Sequence, residues 1–543
     1  MAATTSGEGA SFEERAVFVR KATGLVRGWS VRDAFIYAVF AINLITLGWS
    51  TFDDGPFVPK GALLWSIVIA GVYLIFQGIT YAGLISVMPR AGGDYVWMSR
   101  VLGGGIGFVL AVAGWWFILW YWVPVYAHIF NIEVLAPLSA IAGWHGGVTF
   151  WNSSNGIFVA SVITALLASL FIALGIRAYG RIQKICFYGG VFGLVVIAIM
   201  LLVTSKSGFA SDFNHSASKL FGATGDAYSG TISSVKKVYT PSSVGSLNLS
   251  ATLTLIPMML FFNLWSNWGA TLYGEVRGAS DFRKNIYAMG GALLATTLVG
   301  VIFFLLFAKT FGWTFYNDAN AAFWGYGHGP LGSNFPYPAL LAAMIFSSPV
   351  LQFLLILIMS LWFFGWVGSV FLSSTRVFFA TAFDRILPER VAGVSRNGVP
   401  YWALFLMIAP SIGLAALYAY DTKFQSYTLD ATLVIAITFL GTTVAAAILP
   451  WRKPEIYNAS PIAKYKVLGL PLITVSAVGF GVILVFALVE WFTNDVYGVN
   501  NTDSYYLMGG MYVLAFAIYG ISQIVRKRQG IDLGMVYGEI PAE

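Results

Sequence analysis

Charge, cysteine and histidine are all scarce in this chain. Of its 543 residues only 10% are Asp, Glu, Lys or Arg, whereas a soluble domain carries about 25%. The single Cys186 excludes a disulfide framework and a cysteine-based metal cluster, and packing within a helix is its expected role. The four histidines (128, 145, 215 and 328) are scattered without ligand-like spacing, so no metal site is expected. No phosphate-binding loop precedes a soluble nucleotide-binding domain, which weighs against ATP-driven transport. The polar first 30 residues, with Arg15, Arg20, Lys21 and Arg27, lack the apolar core of a cleaved leader. The apolar interiors are almost free of Asp, Glu, Lys and Arg, the groups that mark proton relays and counter-ions in a membrane.

What fills the chain instead is apolar: 58% hydrophobic residues and mean hydropathy +0.75. A helix needs about 20 apolar residues to cross the hydrocarbon core. Twelve such runs are expected, near residues 33–52, 61–87, 104–130, 156–175, 182–204, 250–272, 286–308, 338–375, 401–420, 430–449, 467–490 and 505–525. The eighth is too long for one straight crossing and is expected to tilt or extend past the bilayer. Basic residues collect in every second gap, for example Arg90 and Arg100, Arg177 and Arg181, Arg283 and Lys284, Arg385 and Arg390. The alternate gaps carry Asp53, Asp54, Glu133, Asp318, Asp421, Asp430, Asp495 and Asp503. Because Lys and Arg favour cytoplasmic loops, both termini are expected inside the cell. The net charge of +7 then follows from membrane topology, and no nucleic-acid partner is implied. The fold class is an all-α polytopic membrane protein. The Ser-, Thr- and Gly-rich stretch 205–249 reads as a solvated outer loop, and the aromatic-rich stretch 311–337 either packs on the outer mouth or forms an interfacial belt.

A core poor in charge can still hold a zwitterion. A broken helix offers N–H groups at one half-end for a carboxylate and carbonyls at the other for an ammonium group or Na+.

Three segments carry a resemblance. Pro89-Arg90-Ala91-Gly92-Gly93-Asp94-Tyr95 lies between the second and third runs. Gly274-Glu275-Val276-Arg277-Gly278 follows the sixth, and Ser374-Thr375-Arg376 with Asp384-Arg385-Ile386-Leu387-Pro388 follows the eighth. In this order they resemble motifs of the amino acid–polyamine–organocation (APC) superfamily permeases, over roughly residues 25–525. That likeness implies a leucine-transporter-type fold of 12 transmembrane helices: two inverted five-helix repeats (31–204 and 250–450), two extra helices (451–526) and a cytoplasmic tail (527–543). It also implies interrupted first helices in each repeat, with an amino acid substrate bound at the breaks. Carried over by spacing, the first break falls at Asn43, Leu44, Ile45 and Thr46. The second falls at Phe261, Phe262, Asn263, Leu264 and Trp265. The family's glycines at these breaks are absent, as are a Glu and a Lys of some relatives, where Gly83 and Gly190 stand.

Further candidates follow. Asn267 joins the second cluster. Trp116 and Trp120 share a helical face and are candidates for the pocket floor. Trp268 and Glu275 are candidate gates, Glu275 as an ion pair beside Arg277. Ser369 and Ser373, four residues apart on one face, with Ser374 and Thr375, are candidate Na+ ligands or bond back to their own helix. The expected activity is secondary-active transport of neutral amino acids by alternating access in the plasma membrane, driven by H+, Na+ or exchange, with no other cofactor and no partner protein besides the lipid bilayer. A cationic amino acid or polyamine carrier and a membrane sensor or channel are the alternatives; the missing His, Asp and Glu constellation weighs against an enzyme.

Overall fold

The computed structural model describes residue 25, residues 27–332 and residues 334–538; the candidate basic residues Arg15, Arg20 and Lys21 lie outside them. Twelve helices among the described residues are long and apolar enough to cross a membrane. They are α1 (Val31–Gly48), α2 (Leu63–Val87), α3 (Gly104–Ile141), α4 (Ser154–Ala173), α5 (Ile176–Val203) and α6 (Leu249–Glu275). The second six are α7 (Phe282–Phe323), α8 (Pro349–Phe383), α9 (Tyr401–Tyr420), α10 (Thr422–Arg452), α11 (Leu472–Thr493) and α12 (Thr502–Arg528). A two-stranded ribbon, Lys466–Val467 with Leu470–Pro471, turns the chain between α10 and α11.

Packing sorts the helices into two groups. α1 lies against α7 and the second half of α6, and α2 lies against α7 and the first half of α6. In the other group α3 packs on α4 and α9, and α4 on α8 and α9. Each group takes equivalent helices from the two halves of the chain, as an inverted five-helix repeat requires. Small residues bring the helices close. A Cβ on Gly78 of α2 would stand 3.2 Å from the Gly290 Cα of α7, so the two backbones nearly touch.

Two expectations need correcting. Residues 205–249 are not a simple loop: Lys206–Phe221 and Ala227–Val235 are helices, capped by Ser205 and Asp226. Phe209 and Phe213 from the first are buried and pack edge-on against Phe315. Ser, Thr and Gly lowered the apparent hydropathy here, while the helix needs only one apolar stripe. The long eighth run is also divided. Pro338–Ala343 forms a separate short helix, and α8 starts afresh at Pro349.

α7 is not one straight rod: Gly312, at φ 85° and ψ 124°, turns the chain and Trp313–Phe323 starts afresh. In α3 a π-wound turn, Asn131–Leu135, lies near the far end. This carries Glu133 and Asp318 into the protein rather than into open loops, at 2% and 1% exposure.

Candidate substrate site and its gates

α1 begins at a capping box: Ser30 Oγ accepts from the Asp33 N–H and Asp33 accepts from the Ser30 N–H. Its α-helical part ends at Ile42, because Asn43 turns left-handed with φ 45° and ψ 60°. Asparagine is one of the few non-glycine residues that tolerates this region. A wider π-wound turn, Leu44–Gly48, follows. Asn43 Oδ1 caps it by accepting from the Thr46 N–H at 3.2 Å. The Tyr337 hydroxyl donates to the Ile45 carbonyl at 2.8 Å and steadies the turn from outside.

α6 changes winding at the matching place. An α-helix runs Leu249–Asn263 and a 3-10 helix runs Leu264–Glu275. Twelve residues of 3-10 winding is long for a form usually confined to 3–4 residues. Gln77 of α2 supports the switch point: its Nε2 donates to the Leu264 carbonyl at 2.7 Å and its Oε1 accepts from Ser266 Oγ at 3.0 Å. Gln77, fully buried, is the one amide in an apolar α2, and that is the only sequence signal of its role. Asn263 and Leu264 both keep right-handed helical dihedrals, so the expected break in α6 is a change of pitch within one helix.

Between these two points lies a buried aromatic and amide cluster. Trp122 of α3 packs tilted on Phe261 at 5.4 Å and edge-on to Trp265 at 5.8 Å. Trp115 meets Trp268 at 6.1 Å, and Trp265 meets Trp268 at 5.1 Å. Tyr126 stacks on Trp366 of α8. Among the described residues, Asn43 Nδ2, both side-chain polar atoms of Asn263 and Asn267, the Tyr126 hydroxyl and Ser369 Oγ are buried without a hydrogen-bond partner. The indole N–H groups of Trp115, Trp122, Trp268 and Trp366 are in the same condition. A buried polar group left unmet costs roughly 1–3 kcal/mol. No member carries a formal charge.

The remaining candidates fall elsewhere. Trp116 stacks on Phe378 at 4.2 Å, and Trp120 donates to the Leu406 carbonyl at 3.0 Å. Both therefore face α8 and α9, and the face of α3 turned to α6 carries Trp115 and Trp122 instead, with Tyr126 turned to Trp366 of α8. Leu44, Ile45, Thr46, Phe262 and Leu264 are buried at the two breaks. Ser373 Oγ is shared by the Tyr37 hydroxyl at 2.5 Å and donates to the Trp268 carbonyl at 3.2 Å. Ser374 Oγ donates to the Trp115 carbonyl and Thr375 Oγ1 to that of Leu372. Of the hydroxyls proposed for an ion, only that of Ser369 is uncommitted.

One end of the molecule, the end with Arg90, Arg177, Arg277 and Arg385, is shut. Glu275 pairs there with Arg376, at 2.6 and 3.0 Å, both side chains 1% exposed. Arg277, its expected partner, donates instead to the Arg27 carbonyl. Trp29 wedges beside the pair: its N–H donates to the Glu275 carbonyl and its indole to that of Ile176. The 89–97 turn closes on the same point. Gly92 donates to the Thr271 carbonyl at 2.9 Å, and Gly93, at φ 40°, leaves only 3.0 Å between an added Cβ and the Ala270 backbone. Arg100 and Asp384 form a second buried pair.

Asp94 of the same turn is buried. Its Oδ1 accepts from Tyr81 at 2.6 Å and Thr442 at 2.7 Å, and its Oδ2 has no partner among the described residues. Burial pushes its carboxyl up to about 6. A carboxyl raised in the folded state favours folding when protonated, and that contribution is lost as pH rises from about 4 through 6. Asp94→Asn is expected to flatten the fall in Tm over that window, read by thermal unfolding of the purified protein at stepped pH.

The opposite end is open. A cavity of about 540 Å³ is lined by Asp53, Asp54, His128, Phe261, Trp324 and Trp491, among others. Burial raises the Asp53 carboxyl, and Asp54 beside it adds to the effect; burial pushes Asp54 up to about 7. Phe261 both lines this cavity and packs on Trp122. One end is thus closed by buried ion pairs and the other carries a cavity. The profile described as Amino acid permease matches residues 38–516. The chain belongs to this amino acid permease family, within the APC superfamily. Two curated permeases are similar over part of their length: the Aspartate-proton symporter of Bacillus subtilis, 23% identical over 145 residues, 27% of this chain and 26% of the relative, and the Branched-chain amino acid permease BcaP of Lactococcus lactis, 26% identical over 149 residues, 26% of this chain and 31% of the relative. This permease thus matches about a quarter to a third of each relative's length. Its membership places the 89–97 turn and the two helix interruptions in a multi-pass membrane protein.

Proposed function

We propose that this permease is a secondary-active transporter of neutral amino acids, favouring apolar or aromatic side chains, that works by alternating access.

 The observation that carries this is the buried cluster at the two interruptions. It combines unmet amides and indoles with wide aromatic surface and contains no Asp, Glu, Lys or Arg. A solute whose own charges cancel suits such a place, because a net charge would call for a buried counter-charge. On this reading the substrate carboxylate and ammonium group lie between the half-helix ends at Asn43–Thr46 and Asn263–Trp265. Its side chain lies against Trp122, Trp265 and Tyr126. Phe261 is the outer thin gate, and Trp268 with the Glu275–Arg376 pair is the inner one.

The basic end is read as cytoplasmic by the positive-inside rule, which puts both termini inside a cell membrane. For the driving ion a proton fits better than Na+. The Ser373 and Ser374 hydroxyls are already committed to the carbonyls of Trp268 and Trp115, and Tyr37 occupies the position beside Ser373.

The test is uptake into proteoliposomes of labelled leucine, phenylalanine, lysine and glutamate under imposed H+ or Na+ gradients. Accumulation of leucine or phenylalanine driven by an inward H+ gradient is expected, with lysine and glutamate excluded. Accumulation of lysine in preference to the neutral amino acids would overturn the substrate class, and a strict Na+ requirement would overturn the choice of ion.

A further inference from the structure

The shut end holds one carboxyl that its buried ion pairs leave out. Asp94 is fully buried in the 89–97 turn and belongs to no ion pair among the described residues. Hydroxyls from two helices meet its Oδ1, Tyr81 of α2 and Thr442 of α10, while its Oδ2 has no partner there. The Trp115 indole of α3 stands close enough to act on the carboxyl, yet its own N–H is unmet as well. On the α6 side Asn267 stands beside Tyr81, again with both polar atoms unmet. Trp115 also packs on Trp268, so Asp94 adjoins the uncharged cluster from the shut end. The charged groups around the turn are engaged elsewhere: Arg90 donates to the Pro89 carbonyl, Arg100 pairs with Asp384, and Arg376 pairs with Glu275. Tyr81 is the one titratable group bonded to Asp94.

An ionised carboxylate is an acceptor at both oxygens, and here one of them faces no donor. Without a cation, and cut off from water, the neutral acid is favoured. The same turn closes on α6 through the Gly92 N–H and the Thr271 carbonyl, so opening of this end parts the two and brings water to Oδ2. We propose that Asp94 carries the coupled proton: it takes one while the basic end is shut, keeping the substrate cluster free of charge, and releases it to water when the turn leaves α6. This rests on the transport reading above and gives its driving proton a residue. Protonation and substrate binding then favour one another, since each suits a neutral cluster, and by linkage the effect is reciprocal.

Equilibrium binding of labelled leucine to the purified full chain at stepped pH is the test. The wild-type dissociation constant is expected to rise about tenfold or more between about pH 5 and about pH 8. Asp94→Asn, neutral at every pH, is expected to abolish that rise, and Asp94→Glu to keep it. Tyr81→Phe takes one donor from the carboxylate and is expected to move the midpoint to higher pH, because hydrogen bonds to the charged form favour it. Lost packing alone would weaken binding and leave the midpoint in place. Proton uptake on addition of leucine, read with a pH-sensitive dye in weak buffer, is expected in the wild type and absent in Asp94→Asn. Asp54→Asn, in the outer cavity, is expected to keep both signals. A pH dependence or proton uptake that survives Asp94→Asn, or that disappears in Asp54→Asn, would overturn the proposal. Should Asp94→Asn prove unstable, the Tyr81→Phe midpoint decides, and an unmoved midpoint counts against Asp94. Wild-type binding of leucine without any pH dependence would sink this assignment and leave the substrate reading standing, whereas no leucine binding at all would sink the substrate reading itself.

Discussion

Arg376→Met is expected to lower the Tm of the purified protein sharply and to stop uptake. Arg376 and Glu275 are each 1% exposed and joined by two hydrogen bonds. Removing one partner of such a pair strands a charge and typically costs roughly 3–5 kcal/mol. The Glu275 carbonyl also receives the Trp29 N–H, so the disturbance reaches the contact that shuts the basic end. The double variant Glu275→Gln with Arg376→Met leaves no lone charge, and its Tm is expected to recover part of the loss. Uptake should not recover with it, because closure of that end depends on the pair. Thermal unfolding and proteoliposome uptake, measured on the same preparations, separate the two effects. An unchanged Tm in Arg376→Met would contradict the role given to the pair.

The second large effect is expected at Asn43. A Cβ-bearing residue in the left-handed region costs roughly 1–2 kcal/mol, and Asn43 is there with φ 45°. Its side chain also supplies the cap to the Thr46 N–H, a kind of contact worth about 1 kcal/mol. Asn43→Leu removes the cap and adds bulk at a fully buried position, so uptake is expected to fall to background. Asn43→Gly suits the backbone but not the cap. Its fold should survive, with substrate affinity weakened. Circular dichroism and uptake on both variants check this ordering; equal uptake by Asn43→Leu and wild type would remove Asn43 from the site.

Much of the fold was legible because a membrane writes plainly: twenty apolar residues per crossing, and basic residues in alternate gaps. The 89–97 turn was legible through Gly92 and Gly93, whose positive φ values and tight approach to α6 allow little else. Asn43 stood out as an amide in an apolar run. Other features leave no local trace. In α3 the run Trp115, Trp116, Trp120, Tyr121 and Trp122 is aromatic on every side, so periodicity could not tell which face meets α6. The partner of Glu275 is 101 residues away in sequence, and Arg277, two residues away, drew attention instead. Gln77 matters only because α6 changes pitch beside it. Glu133 and Asp318 read as loop residues, since nothing local in the sequence says that Asn131–Leu135 and Trp313–Phe323 are helical and buried.

The central claim is that an amino acid is held between the two helix interruptions by groups without formal charge. Equilibrium binding of labelled leucine and phenylalanine to the purified protein, wild type against Asn263→Leu, tests it most directly. Asn263 is fully buried and neither of its side-chain polar atoms has a partner among the described residues, so the exchange should leave Tm near that of wild type. The account predicts saturable binding to the wild type and a loss of about tenfold or more in the variant. Equal affinity in the two proteins would contradict it.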